Sequence, residues 1–384
     1  MTRPIAIVFA NLKGNIGDFA ILHAMLLDIG TAFPDQPVHV YSHGFLPVDQ
    51  ARMAAFMREA PFFEHAGVTF AGARKPAAAT SRLLRLFRLR QRYQARRIRS
   101  LAVKSTPKAA RFSTYDAVYL AGGAQWTGVT TGVSMFATLR AIRAHTDRVF
   151  SYPFSVSPSL WKVNSRAGLR EDLARIRSPL IARDSGSASA LSELGLETVL
   201  GADCVFSLAE AAERIAPISE RDPARILLVL TGQKPQVLSE TLQALRGQTG
   251  PMALLTTCAP EDVPVLGPVA KAADVPLLAP LTWQETVAEM KASSMVITNR
   301  LHGFILASFA GVPVLPLAGR PKLEAVVRDA GLPLELPDLC KLDAGLIRSV
   351  QSRRAEIVEK IAGYRETMQG RLRSPVQAHD AGQL

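Results

Sequence analysis

Cysteine is scarce in this sequence, and the spacings that bind metal ions are missing. The three cysteines, Cys204, Cys258 and Cys340, lie far apart, and no CxxC pair occurs. Disulfide frameworks and zinc sites both need cysteines at short, repeated spacings, so neither is indicated. We therefore expect reduced thiols, as in the cytoplasm, and no metal site.

Long apolar runs are also missing. No stretch approaches the roughly 20 apolar residues of a transmembrane helix. The apolar run from Ile5 to Ala10 is too short for a signal peptide, and we interpret it as the first strand. Apolar residues make up 48% of the chain and charged residues 20%, which is typical of a globular protein. Because 384 residues exceed one ordinary hydrophobic core, we expect two domains.

Acidic residues are absent from one long segment. Between Arg74 and Arg111 there are thirteen Lys and Arg and no Asp or Glu, so this segment carries the net charge of +12. Within it, residues 82–111 alternate apolar side chains with arginines, which is typical of a basic amphipathic helix on an anionic membrane surface. Nucleic acid is the competing partner, but the apolar residues favour lipid. A solvated insertion without a partner is the third interpretation.

The segment from Met295 to Pro313 carries the strongest functional signal. A short apolar strand is followed by the polar residues Asn299, Arg300 and His302, and then by an apolar helix. In an open α/β sheet, ligands bind at the carboxyl ends of the strands, where these side chains lie. Arginine binds phosphate and carboxylate groups, and histidine transfers protons near neutral pH. We predict that Arg300 and His302 handle an anionic donor with Asn299 beside them, although a lone histidine there also fits a structural role.

A second strand, loop and helix unit lies near the N-terminus. Its loop contains Asn15 and Gly17, and the sequence is neither GxGxxG nor a P-loop. Backbone N–H groups at such a helix start can hold a phosphate, and glycine allows a ligand to approach closely. We predict that Asn15 and Gly17 bind substrate. Asp18 is a candidate catalytic base, but it would equally serve as the N-cap of the helix.

Two further groups follow strands in the middle of the chain. A glycine turn with Gly122, Gly123 and Gln125 ends one strand, and Arg183 and Asp184 end another. Asp184 is expected to cap the following helix, whereas capping does not explain Arg183. We predict that the glycine turn and Arg183 bind substrate.

Two cations at the start of a later helix also indicate an anion. Arg320 and Lys322 stand where the positive end of the helix dipole should repel them. An anionic ligand would explain their position, so we predict that both bind substrate.

A polar, proline-containing stretch at residues 211–224 separates two similar series of strands and helices. We predict a Rossmann-like domain over residues 1–215, with the basic segment 74–111 as an insertion. A second Rossmann-like domain is predicted over residues 216–345. Residues 346–384 are expected to form a long helix that packs back on the first domain, followed by a disordered tail.

Several of these motifs, in this order, resemble the polysaccharide pyruvyl transferase family. They are NxGD from Asn15, the glycine turn, RDxxS from Arg183, and TNRLHGFILASFAGVPV with the later Lys322. The resemblance covers most of the chain. It implies an α/β fold of the GT-B-like class, in which two Rossmann-like domains face a cleft, the N-terminal one on the acceptor side. The sequence departs from the family pattern in two places: the turn reads GGAQW where the family often has a third glycine, and the basic insertion is unusually long. Because of these departures, the resemblance does not specify the acceptor.

The resemblance further implies transfer of pyruvate from phosphoenolpyruvate to a sugar diol of a cell-envelope or exopolysaccharide glycan, forming a ketal. The predicted cations would hold the carboxylate and the phosphate of this donor. The reaction needs a general acid and a general base, for which His302 and Asp18 are candidates, and no cofactor is expected. The acceptor would be a glycan or a lipid-linked saccharide at the inner face of the cytoplasmic membrane.

Two other functions are compatible with the same residues. A GT-B glycosyltransferase would use the cations to hold the diphosphate of a nucleotide sugar. A non-catalytic protein would bind a membrane or a nucleic acid through the basic segment alone.

Overall fold

The structure is a computed structural model that describes residues 2–43, 47–60, 63–68, 87–126, 129–177, 179–218, 224–333 and 335–380. Side chains of a few residues inside these ranges, Gln125 among them, are not described. The described chain forms two α/β units built on parallel strands. Two cavities lined by residues of both units mark the cleft between them.

The N-terminal unit contains two sheets of parallel strands, one with five strands and one with four. Their strand orders are β3-β2-β1-β4-β6 and β5-β7-β8-β9. The chain passes from the first sheet to the second at two short breaks, after β4 and after β6. These strands are β1 (Ile5–Ala10), β2 (Val38–Ser42), β3 (Phe63–Val68), β4 (Ala117–Leu120), β5 (Gly123–Trp126), β6 (Val149–Ser151), β7 (Phe154–Val156), β8 (Leu180–Ala182) and β9 (Thr198–Leu200). All six residues of β1 are buried, as expected for a parallel strand covered on both faces.

Helices cover both faces of these sheets, and short 3₁₀ turns at residues 110–114, 158–162 and 204–208 connect them. The helices are α1 (Ile16–Ala32), α2 (Gln50–Glu59), α3 (Phe87–Ala109), α4 (Val129–Arg143), α5 (Arg166–Leu173), α6 (Ser185–Ser192) and α7 (Ala209–Glu213).

The C-terminal unit has one parallel sheet in the order β12-β11-β10-β13-β14. Its strands are β10 (Ile226–Val229), β11 (Met252–Leu255), β12 (Leu277–Leu278), β13 (Met295–Thr298) and β14 (Val314–Pro316). Its helices are α8 (Pro235–Leu245), α9 (Ala259–Ala273), α10 (Trp283–Lys291), α11 (Leu301–Ala310) and α12 (Pro321–Asp329). The strand order reverses between β10 and β13, so a crevice opens at their carboxyl ends.

The C-terminal segment crosses between the two units. It forms α13 (Ala344–Ser352), α14 (Arg354–Gly370) and α15 (Pro375–Asp380). In α14 the ring centroid of Tyr364 lies 5.9 Å from that of Phe206 in the first unit. The prediction of one long helix and a disordered tail was wrong: the helix breaks at Arg353, and residues 375–380 are helical because Val376 is buried. Residues 381–384 lie outside the described part of the chain.

The basic helix α3 uses its apolar side for the core. Ile98 and Ala102 are buried, and the helix packs along α4. Ile98, one of the apolar residues predicted to face lipid, therefore belongs to the core, since the same periodicity arises when a helix covers a domain, and contact of this segment with a membrane stays a prediction. The outward side shows Arg92, Arg96 and Arg99, three residues that share one face. Residues 69–86, including the predicted lipid contacts at 82–86, lie outside the described residues.

None of the helices within the described ranges combines the length and the apolar character that crossing a membrane requires.

Candidate functional site

The loops after β10 and β13 are joined by the side chain of Asn299. Its Oδ1 accepts from the Thr231 backbone N–H at 2.9 Å, and its Nδ2 donates to the Thr231 carbonyl at 2.8 Å. Asn299 is 1% exposed, and these two bonds occupy both ends of its amide. The side chain therefore fixes the loop beside the crevice, and substrate binding by Asn299 stays a prediction.

Arg300 is held in place from the side of the C-terminal unit. Its Nη2 donates to Asp262 Oδ1. The other oxygen of Asp262 accepts from Thr256 Oγ1 at 2.8 Å and from the Cys258 backbone N–H at 3.0 Å. A carboxylate fixed by three donors orients the guanidinium, whose side chain is 11% exposed. Arg300 therefore reaches the crevice as a fixed cation.

A cavity of about 340 Å³, which we call the donor cavity, lies at this edge of the sheet. Its wall is rich in positive charge. It is lined by Asn15, Thr231, Thr257, Asn299, Arg300, Leu301, His302, Arg320, Pro321, Lys322 and Leu323. The structure thus brings together six of the predicted site residues around one space: Asn15, Asn299, Arg300, His302, Arg320 and Lys322.

Two helices begin at the donor cavity. Arg300 is the N-cap residue of α11 and Arg320 that of α12, and neither side chain makes a capping hydrogen bond to its helix. The first N–H groups of a helix carry partial positive charge and bind anions readily. Two helix N-termini and three cationic side chains therefore converge on one small space.

His302 meets the N-terminal unit at Gly17. A Cβ atom built on Gly17 would overlap the imidazole at Nδ1 and Cγ. On its other side, His302 Nε2 lies 3.4 Å from Asp203 Oδ2. The imidazole of one unit is thus placed between a glycine and a carboxylate of the other.

Asp203 was missed as a site residue by the sequence reasoning. It accepts from Arg183 Nη1 at 2.7 Å and is 5% exposed. Burial alone would raise the pKa of Asp203, but Arg183 and His302 beside it hold that pKa well below its usual range. Asp203 follows β9 as Arg183 follows β8, so the strand-end argument could have found it.

The guanidinium of Arg183 is hydrogen-bonded to protein side chains. Its Nε donates to Ser155 Oγ at 2.6 Å and its Nη1 to Asp203, and the side chain is only 4% exposed. It lines a neighbouring cavity and not the donor cavity. Arg183 therefore orients Asp203, and the prediction that it binds substrate stays a prediction.

Asp18 interacts electrostatically with His302 and is not the helix cap. Asn15 caps α1 through its Oδ1, which accepts from Gly17 N–H at 3.1 Å, while Asp18 Oδ2 accepts from Asn11 Nδ2 at 2.6 Å. Burial raises the pKa of Asp18 to about 6, although His302 and Arg183 oppose the rise. A carboxylate with this pKa can accept a proton near neutral pH.

The pKa of Lys322 is shifted in the opposite direction to that of Asp18. Burial, together with the charge of Arg183, lowers the pKa of Lys322 to about 7, against the effect of Asp184, Asp203 and Asp18. An incoming anion would favour the charged form of this amine.

The mid-chain turn serves the fold. A Cβ on Gly122 would come within 2.9 Å of the Pro153 carbonyl oxygen, and one on Gly123 within 2.9 Å of Ile21 Cδ1. Gly123 also has a φ of +97°, which favours glycine. Both glycines make close contact with protein atoms and line neither cleft cavity, and substrate binding by them stays a prediction. The side chain of Gln125 lies outside the described residues. As predicted, Asp184 caps α6, accepting from Ser187 N–H at 2.7 Å.

The two units are joined beside this site. The Ile16 backbone N–H donates to the Thr257 carbonyl at 2.7 Å, and Trp283 Nε1 donates to His23 Nδ1 at 3.0 Å. Because His23 accepts this bond, its ring is neutral, in accord with burial that lowers its pKa to about 4. The loop that carries Gly17 is therefore anchored to the unit that carries His302.

Comparison with solved structures shows the fold. UDP-GlcNAc 2-epimerase from Neisseria meningitidis, bound to UDP-GlcNAc, has a TM-score of 0.53 and 13% identity, with 98% of both chains covered. HepE from Anabaena in complex with UDP has a TM-score of 0.52 and 14% identity, with 99% of this chain and 98% of that chain covered. These likenesses confirm the predicted GT-B-like arrangement of two Rossmann-like domains.

A search of curated protein sequences found no match. The family model described as polysaccharide pyruvyl transferase matches residues 15–320, a range that runs from Asn15 to Arg320 and includes His302. This match spans well over half of the chain, and the chain therefore belongs to the polysaccharide pyruvyl transferase family.

Proposed function

We propose that this protein transfers pyruvate from phosphoenolpyruvate to a sugar diol of a cell-envelope or exopolysaccharide glycan, forming a pyruvate ketal and releasing phosphate. The observation that carries the proposal is the donor cavity, where three cations, an imidazole and two helix N-termini surround about 340 Å³. A small donor with a carboxylate and a phosphate matches that charge. The donor is a substrate, and the proposal needs no cofactor.

His302 and Asp18 have different roles in the reaction. Protonated His302 gives its proton to the methylene carbon of the donor, which leaves a cationic C2. The first sugar hydroxyl attacks C2 and loses its proton to Asp18. The second hydroxyl then takes the place of phosphate at C2. Asp18 then releases its proton to solvent and His302 takes one up, so that in each turnover one proton is added to the new methyl group and the second hydroxyl proton leaves with phosphate.

Asp203 and Arg183 support this step without touching the donor. The Asp203 carboxylate, kept ionised by Arg183, stabilises the charged imidazole 3.4 Å away. Arg300, Arg320 and Lys322 neutralise the phosphate as it leaves.

A glycosyltransferase is the second candidate, because a larger space adjoins the donor cavity. This space, of about 570 Å³, shares Asn299 and Arg320 with it and extends past Gln233 and Lys234 to Asp338. The structural neighbour HepE was solved with UDP. A nucleotide sugar would place its diphosphate near Arg320 and its nucleoside in the larger space.

Donor binding distinguishes these functions. We expect phosphoenolpyruvate to raise the melting temperature of the protein, by an amount that grows with ligand concentration, and UDP to have no effect. Replacing Arg320 by alanine should weaken phosphoenolpyruvate binding about tenfold in calorimetry, since a charged hydrogen bond contributes about 1.5–3 kcal/mol and this arginine is exposed.

The control for this substitution is Arg348→Ala. Like Arg320, Arg348 is exposed and donates to one backbone carbonyl, that of Gln248 at 3.4 Å. It lies outside the donor cavity, so phosphoenolpyruvate binding should not change. Stabilisation by UDP alone would reject the pyruvyl transferase proposal in favour of the glycosyltransferase.

The value of kcat/KM should be highest in a narrow pH range, between about 6 and about 7. Asp18, with a pKa of about 6, must be ionised to act as a base, so kcat/KM for phosphoenolpyruvate should fall below pH 6. Lys322, with a pKa of about 7, must be charged to bind the donor, so kcat/KM should also fall above pH 7. In Lys322→Arg the cation stays charged, so the alkaline decrease in the affinity for phosphoenolpyruvate should move upward by more than one pH unit. An unchanged alkaline decrease in this variant would exclude Lys322 as its origin.

We also propose that the enzyme works in the cytoplasm, at the inner face of the membrane, on a lipid-linked acceptor. The basic stripe of α3, defined by Arg92, Arg96 and Arg99, is exposed and suits anionic lipid headgroups, and Val103 on the same face is 73% exposed. Replacing all three arginines by glutamate should reduce binding to phosphatidylglycerol vesicles at least about 100-fold, because each basic residue contributes about 1 kcal/mol. Vesicle sedimentation at low salt measures this, and 0.5 M salt should abolish binding of the unmodified protein.

The control reverses three exposed cations outside the N-terminal unit, Lys271, Arg328 and Lys360, and so makes the same change in net charge. Vesicle binding should be retained in this variant. Equal losses in both triple variants would show a general charge effect, and preferential binding of single-stranded RNA over vesicles would contradict the membrane proposal.

A further inference from the structure

Asn11 is a polar residue beside the site that the proposed mechanism does not use. It follows strand β1, and its Nδ2 donates to Asp18 Oδ2 at 2.6 Å. Because an ionised carboxylate can only accept hydrogen bonds, this contact stabilises the ionised form of Asp18. Hydrogen bonds to a charged acceptor are shorter and stronger than bonds between neutral groups. Asn11 therefore favours the form of Asp18 that can take up a proton.

The other end of the Asn11 amide is unpaired within the residues that the structure describes. Its Oδ1 is buried there and accepts no hydrogen bond. Asn299 uses its amide differently, since both ends bond to the backbone of Thr231 and fix a loop. Buried amides are normally paired, because an unpaired polar atom costs free energy. The hydrogen bond to Asp18 is therefore the contact that explains why an asparagine stands at position 11.

The backbone just before Asn11 is strained. Phe9 has a φ of +65°, a left-handed conformation that is unfavourable for a residue with a Cβ atom. Val8 and Phe9 both pack in one core cluster. Ile7 and Ala10 pack in the other cluster, and the pairing of β1 with β2 is irregular between them. The alternation of the strand thus shifts by one residue at Phe9, and this shift sets the register in which Asn11 leaves the strand.

Backbone hydrogen bonds hold Asn11 from both sides. The carbonyl of Ala10 accepts from the His43 N–H at 3.1 Å, and the carbonyl of Leu12 accepts from the Asp49 N–H at 2.9 Å. Strained backbone persists where its surroundings fix it, and it is frequent at functional sites. The position of Asn11 is therefore determined by its neighbours in the chain and not by its own amide.

Charged side chains also act on Asp18. His302 and Arg183 favour its ionised form, whereas burial and Asp203 oppose it. Lys322 interacts with Asp18 as well, and this cation favours the carboxylate. In the proposed mechanism His302 loses its charge when it protonates the donor. The neutral amide, in contrast, donates to Asp18 throughout the reaction.

We infer that Asn11 is a positioning residue for the proposed base: its amide orients Asp18 and keeps it ionised until a sugar hydroxyl gives up its proton. The inference rests on the proposed function, in which Asp18 is the base. The same hydrogen bond favours release of the proton afterwards, which returns Asp18 to the ionised form for the next turnover.

The first test titrates Asp18 directly. In protein with isotope-labelled aspartate carboxyl groups, the NMR signal of Asp18 is identified by its absence from Asp18→Asn. Asn11→Leu removes the donor at similar size, so the pKa of Asp18 should rise by about one unit from about 6. Asn11→Asp keeps the shape and adds a negative charge, so the rise should be larger.

A purely structural role for Asn11 predicts the opposite result. Loosening the loop would admit water to Asp18 and lower its pKa, since burial is what raises it. An unchanged or lowered pKa of Asp18 in either folded variant would therefore overturn the inference. Circular dichroism identifies the folded variants, and the two substitutions make the test independent of the folding of any one of them.

Gln36→Leu is the matched control. Gln36 Nε2 donates to Asp116 Oδ2 at 3.4 Å, and its Oε1 is buried without a hydrogen-bond partner among the described residues, as in Asn11. The two residues precede β2 and β4, at the edge of the sheet opposite to the site, and line neither cleft cavity. The pKa of Asp18 should not change in this variant. An equal rise in the control would show a general effect of losing an amide and would overturn the inference.

Kinetics on the same variants separates the inference from the proposed function. At saturating phosphoenolpyruvate, kcat of Asn11→Leu should decrease below about pH 7, and that of the unmodified protein below about pH 6. The dissociation constant of phosphoenolpyruvate should not change, because Asn11 does not line the donor cavity.

Two outcomes distinguish the failure of one idea from the failure of the other. A raised pKa of Asp18 in a protein that never releases phosphate from phosphoenolpyruvate would reject the proposed function and leave the control of Asp18 by Asn11 in place. A raised pKa with an unchanged pH profile of kcat would keep pyruvyl transfer and overturn the inference, since Asp18 would then not be the base.

Discussion

Replacing His302 by glutamine is expected to reduce kcat for phosphate release from phosphoenolpyruvate by about 10²- to 10⁴-fold, the usual contribution of a general acid or base. Glutamine retains hydrogen-bonding capacity at this position but cannot deliver a proton. The cations Arg300, Arg320 and Lys322 remain in place, so phosphoenolpyruvate should still bind. The loss should therefore appear in kcat, with the dissociation constant of the donor nearly unchanged.

The control for this substitution is His145→Gln. His145 is half-buried and contacts the Thr106 carbonyl at 2.9 Å, away from the walls of both cleft cavities. Its replacement tests whether losing any imidazole from this protein lowers activity. A His302→Gln enzyme that keeps more than a tenth of the original kcat would remove His302 from the proton-transfer step.

Replacing Gly17 by alanine should cause a loss of similar size through geometry alone. The new methyl group would occupy the position of the His302 ring, so one of the two must move. The start of α1 cannot shift easily, because Ile16 N–H is bonded to Thr257 across the cleft. We expect the ring to be displaced, and a displacement of about 1 Å can cost about 100-fold in rate. The kcat of the purified variant, with its circular dichroism spectrum as a check on folding, measures this effect.

Gly363→Ala is the matched control for this substitution. No described atom lies within 4 Å of a Cβ built on Gly363, which is inside α14. Alanine should there stabilise the protein by up to about 1 kcal/mol, since it is a better helix former than glycine. If Gly17→Ala kept full activity while folded, the contact between Gly17 and His302 would have no catalytic role.

The strand-end argument found the donor cavity from the sequence because parallel strands bring their carboxyl ends to one edge. Arg300 and His302 could be predicted in this way, and Lys322 from its place at the start of a helix. The direction in which each side chain points could not be predicted from the sequence. Asn299 is adjacent to Arg300, yet it turns inward to the backbone of Thr231, a residue some 70 positions earlier in the chain.

Partners that are distant in the sequence account for the other differences. Arg183 was predicted to hold substrate because no local partner explains it, but Asp203 and Ser155 occupy its guanidinium. The pattern in α3 was ambiguous for a related reason. A helix that covers a domain and a helix that lies on a membrane have the same periodicity, and only the structure shows that Ile98 contacts the core.

The hydrogen bond from Ile16 to Thr257 has a consequence for engineering new specificity by exchanging halves between homologues. The imidazole comes from one half, whereas the glycine and the carboxylate that position it come from the other. A hybrid will have a working centre only if the loops at residues 11–18 and 256–262 come from the same parent, since they determine how the halves meet. Recombination breakpoints should therefore be chosen by pairing these two loops, and a cut in the polar linker alone is not sufficient.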